Sequence, residues 1–153
     1  MRKTLKDKFS DKLVNAFVNN KIISPIPSKF TKKLTEANKF RKLCESKIKD
    51  PVIGFKVGGT GLPLMKKLKE KEPFYAAVYK KNFLKSGKTV KINKSTLGIE
   101  LEVCYKVKKS FFSSKGAITM KNISKYISQM APCIEVVGYR QRKKGITSFG
   151  DLC

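Results

Sequence analysis

Apolar residues recur every four positions near the start of the chain: Leu5, Phe9, Leu13 and Phe17, with Lys, Asp and Asn between them. That period predicts an amphipathic helix over residues 4–20. The two prolines of SPIPS, Ser24 to Ser28, end it, because proline cannot lie inside a helix. A second apolar stripe, Phe30, Leu34, Ala37, Phe40 or Leu43, then Cys44 and Ile48, predicts a helix over about 28–47. Asp50-Pro51 breaks it.

The texture then changes. PVIGFKVGGTG, Pro51 to Gly61, reads as a short strand opening into a glycine-rich turn, and residues 62–71 read as a short helix. Pro73 to Ile92 reads as strand, Ser-Gly turn, strand. Leu97 to Val107 is a further strand, and Ser113 to Gly116 is a loop. Thr119 to Met130 is expected to be a helix, with Thr119 as N-cap and Ile123, Tyr126, Ile127 and Met130 on its apolar face. Ala131 to Arg140 is a strand again, and KKGITSFGDLC carries no clear element. No internal repeat is visible. Helices first, then strands with one helix inserted, define an α+β chain. Residues 1–50 form its helical region and 51–153 its β-rich region, within a single structural unit.

Composition adds limits. A chain of 153 residues fits one domain with a real core, and 41% hydrophobic residues argue for a folded one. No stretch approaches the roughly twenty apolar residues of a membrane span. The basic start, MRKTLKDKFSDKL, lacks the apolar run of a secretory signal. Cys44, Cys104, Cys133 and Cys153 form no CxxC pair and the chain has no His, which argues against zinc. They read as reduced thiols of a cytoplasmic protein, at least two of them in the core. The net charge of +24 raises the alternative of a basic nucleic-acid-binding protein. Against a specific nucleic-acid partner, the lysines are spread along the whole chain, with no block interleaved with aromatics.

Against 35 basic residues the chain sets only 11 acids, and two of these interrupt the apolar run STLGIELEVCYKV, 95–107. In a strand, Glu100 and Glu102 project from one face and Leu101 and Val103 from the other. Glu135 interrupts another apolar run, Ile134 to Val137. One reading makes all three solvent-facing residues with lysine partners. In the other, adjacent carboxylates that repel each other need a cation between them. Three oxygen ligands without His or Cys suit Mg²⁺ or Mn²⁺ with positions left open. Lys56, between Phe55 and Val57 and before a Gly-Gly turn, is either a surface lysine or a cation for an anionic ligand.

GFKVGGTG (54–61), GIELEVCYKV (98–107) and APCIEVVGYR (131–140), in that order, resemble the 2-keto-4-pentenoate hydratase branch of the fumarylacetoacetate hydrolase superfamily. The family pattern is G-x-K-[IV]-G-x-T, an E-x-E strand, then P-x-[IL]-E-[IV]-V, and the likeness spans about residues 5–150. The resemblance implies part of that family's mixed β-barrel or β-roll after the N-terminal helices. It implies Glu100, Glu102 and Glu135 as metal ligands and Lys56 as an active-site lysine. Gly58, Gly59, Thr60, Val103 and Arg140 become substrate-binding residues. The implied activity is that of a metal-dependent lyase on a small 2-oxo acid, by hydration or decarboxylation, in a homo-oligomer.

The sequence departs from the pattern in two places. Phe74, in EPFYAAVY, stands where the family carries an acid for proton transfer, leaving Glu72 as the nearest catalytic candidate. Family members are also longer, so a fragment lacking part of the barrel, or an inactive remnant of the enzyme, is expected.

Overall fold

The computed structural model describes residues 3–141. The expectations for residues 143–153, Cys153 among them, lie outside the described residues. The chain is α+β, with two separate antiparallel ribbons of two strands each and no closed barrel among the described residues. It divides into two compact units: one runs to Ser95 and resumes at Tyr139, and the other is Thr96–Gly138.

In the first unit, helix α1 spans Leu5–Val18. Thr4 Oγ1 accepts from the Asp7 N–H at 3.1 Å, and the Asp7 carboxylate accepts from the Thr4 N–H at 3.2 Å. This reciprocal cap satisfies two N–H groups that the helix cannot pair internally. Helix α2, Leu34–Glu45, buries Ala37, Phe40, Arg41 and Cys44. Phe9, Leu13, Val14 and Phe30 pack on the core of Ile26, Phe40 and Cys44.

The helix expected over 28–47 is divided. Ser28–Phe30 is a single 3₁₀ turn, and Lys33 is extended before α2 begins. The reason lies in Phe30 and Phe40, whose rings stack 5.3 Å apart. One continuous helix would hold them about 15 Å apart along its axis. Breaking the helix folds Phe30 back onto the core.

Strand β1, Val52–Gly58, pairs with β2, Phe74–Tyr79, and helix α3, Leu62–Leu68, lies between them in sequence. The second strand expected before Ile92 is absent. The Lys80 N–H donates to Pro51 O and the Lys81 N–H to the Asp50 carboxylate, which turns the chain away from the ribbon as a 3₁₀ turn. Tyr139 N donates to Ser95 O, and Ile23 N donates to Arg140 O.

In the second unit, β3, Thr96–Val107, and β4, Ile127–Gly138, form a long ribbon. Helix α4, Lys109–Phe112, follows β3. The helix expected over 119–130 is instead a 3₁₀ turn, Ile123–Tyr126, followed directly by strand. Ladder pairing wins there: Ile127, Gln129 and Met130 find partners on β3, and Ser128 Oγ donates to Lys106 O at 2.9 Å. Thr119 is not a cap. Its own N–H donates to Asn122 Oδ1, and Asn122 Nδ2 donates to Ala117 O. No residue of this unit is fully buried. No helix among the described residues is long and apolar enough to cross a membrane.

Candidate metal centre

Alternation divides the β3–β4 ribbon into two unlike faces. Register sets Glu100 opposite Glu135, Glu102 opposite Cys133 and Cys104 opposite Ala131, all on one face. The other face carries Ile99, Leu101, Val103 and Tyr105 against Val136, Ile134, Pro132 and Met130. Leu101 is 86% exposed and Ile134 64%, whereas Glu102 and Glu135 are half-buried. Burial is therefore the reverse of what side-chain polarity alone would favour.

One oxygen from each of Glu100, Glu102 and Glu135 lies within 4.8 Å of the others. Like charges directly across a ladder are destabilising. At that separation each pair repels by about 0.9 kcal/mol in bulk water, and by less where salt screens the exposed Glu100. A divalent cation among the three reverses the sign of that interaction. Oxygens bound to one Mg²⁺ at about 2.1 Å stand at most about 4.2 Å apart, so the spacing matches a shared ion after a small adjustment. The donors are all carboxylate oxygens, the set preferred by hard cations. Glu100 and Glu102 share their face through local strand geometry, but Glu135 joins them through the register of a strand 33 residues away.

The other sequence candidates, Val103 apart, belong to the first unit. Lys56 is a half-buried residue of β1, in the first unit, and shares its face with Gly58. Gly58 is opposite Phe74, and a Cβ there would stand 2.5 Å from the Phe74 ring. The glycine thus makes room for an aromatic side chain, which accounts for it without a ligand. Gly59 has φ 70°, the left-handed conformation that glycine adopts without strain. Thr60 follows it, exposed, and Glu72 is exposed just before β2.

Val103 lies on the apolar face, so it does not share the side of the ribbon that bears the carboxylates. Arg140 has a structural task in the first unit. Its guanidinium donates to Ser95 Oγ at 3.0 Å and Asn20 Oδ1 at 2.9 Å, and lies 5.9 Å from the Phe17 ring centre. Burial holds its pKa below the usual arginine value. Of the three described cysteines Cys44 is in the core, Cys104 is exposed and Cys133 half-buried; whether a second thiol is in the core turns on Cys153, outside the described residues.

A scan of known protein families finds no match to this chain, and a search of curated proteins finds no relative.

Proposed function

We propose that this chain is a metal-dependent lyase domain acting on 2-oxo acids, of the fumarylacetoacetate hydrolase type, with Mg²⁺ or Mn²⁺ held by Glu100, Glu102 and Glu135. The observation that supports it is the convergence of three carboxylate oxygens on one face of a ribbon. An ion held by these three residues would supply Lewis-acid chemistry, favouring the enolate-like charge that develops on a 2-oxo acid. The chain's own contribution is to hold three ligands on a paired backbone and leave the remaining coordination positions open. The same reading assigns the α+β chain to part of that family's barrel. Phe74 supplies no proton, so the hydration step lacks the family's acid at that position.

The test is a Mn²⁺ titration followed by the loss of the free-ion paramagnetic resonance signal. The wild-type chain is expected to bind at least tenfold more tightly than Glu100→Ala/Glu102→Ala. Equal, negligible binding in both would remove the metal centre. Proton exchange at C3 of 2-oxobutanoate in D₂O with Mg²⁺ then separates enzyme from remnant. Metal binding without exchange would leave a metal-binding protein and end the lyase reading.

A further inference from the structure

The carboxylates occupy part of one face of the β3–β4 ribbon, and two sulfur atoms occupy the next part. Cys104 faces Ala131, and Cys133 faces Glu102, so the two cysteines are diagonal neighbours on the same side. Their Sγ atoms are 2.7 Å apart. That is about 0.7 Å longer than a covalent S–S bond. Cys104 is open to solvent, and Cys133 is half-buried beside it. The three remaining properties of a reactive dithiol are thus present: proximity, a common face and access for one partner. Cys44 has none of them, being buried in the core of the first unit.

We propose that Cys104 and Cys133 form a reversible dithiol–disulfide site whose reagent is a low-molecular-weight disulfide. The Cys104 thiolate attacks one sulfur of the reagent; the reagent's S–S bond breaks, and its other half leaves as a thiolate that takes up a proton. Cys133, having lost its proton, attacks the Cys104 sulfur of this mixed disulfide and expels the second half as a thiol. In total two cysteine thiols and one disulfide become one Cys104–Cys133 bridge and two small thiols. Two electrons pass to the reagent, and the two cysteine protons end on its thiols. The exposed residue is the attacking one and its half-buried neighbour resolves the intermediate. The bridge ties β3 to β4 directly beside Glu102, in a unit with no fully buried residue to hold it together.

The site is tested on the reduced 153-residue chain equilibrated with oxidised glutathione, then quenched, alkylated and digested with trypsin. Residues 95–106 and 126–140 each contain a single cysteine and end at a basic residue. They are expected as one linked pair, lighter by two hydrogens than the separate reduced peptides, and separated again by dithiothreitol. In Cys133→Ser, Cys104 is expected to stop as the glutathione mixed disulfide. The wild type and a Cys153→Ser variant should give the same link. A wild-type chain that halts at the glutathione adduct, stays reduced, or links either cysteine to Cys44 or Cys153 instead overturns the proposal. None of these readouts depends on metal or turnover, so failure of the lyase reading leaves the result unchanged.

Discussion

Cys44 ties stability to alkaline pH. Its side chain is 7% exposed, packed with Ile26 and Phe40. Burial raises its thiol from 9.0 to about 11, because a thiolate there loses its hydration; Lys47 opposes the shift and Glu45 adds to it. The folded state thus holds this proton more tightly than the unfolded chain. The associated stability is complete below pH 9 and is lost as pH rises through about 11. A two-unit difference is worth about 3 kcal/mol in full, and linkage puts the loss at about 2 kcal/mol by pH 10.5. The assay is urea unfolding under reducing conditions from pH 7 to 10.5, on wild type and Cys44→Ala. The comparison cancels the titration of the many lysines and leaves the cavity made by the alanine as a constant offset. The stability advantage of the wild type should shrink with pH by about that amount. A difference that stays flat to pH 10.5 would refute the reasoning, as would rapid alkylation of Cys44 in the native chain at pH 8.

Two further perturbations test the packing. Phe40→Ala should destabilise the chain by about 3–5 kcal/mol, since the ring is 4% exposed and stacks on Phe30. Leu101→Lys, at a position 86% exposed, should change stability by less than about 0.5 kcal/mol, measured by the same urea unfolding. Gly58→Ala should cost about 1–2 kcal/mol by forcing the Phe74 ring aside, and Phe74→Leu in the same chain should recover most of it. An alanine variant as stable as wild type would show that the ring yields freely.

Local pattern and ladder pairing disagree in informative places. Thr119 has the chemistry of a cap and the spacing after it is helical, yet the chain from Ile127 is strand. Twelve residues of β3 offer a row of donors and acceptors, and pairing with them outweighs a weak helical preference. Phe30 carries the right period for α2, but its ring stabilises more by stacking on Phe40 than by extending a helix. A propensity sums small local terms, whereas burial of an aromatic ring is decided by whatever else the fold brings beside it.

From the order of residues alone came the start of α1, the strand at 97–107 and the common face of Glu100 and Glu102. Each follows from geometry within a few residues: a period of 3.6 or a period of 2. The tertiary structure alone set Glu135 against Glu100 and Cys133 beside Cys104, because those pairings depend on the register between strands. A slip of one residue in β4 would turn both side chains to the opposite face.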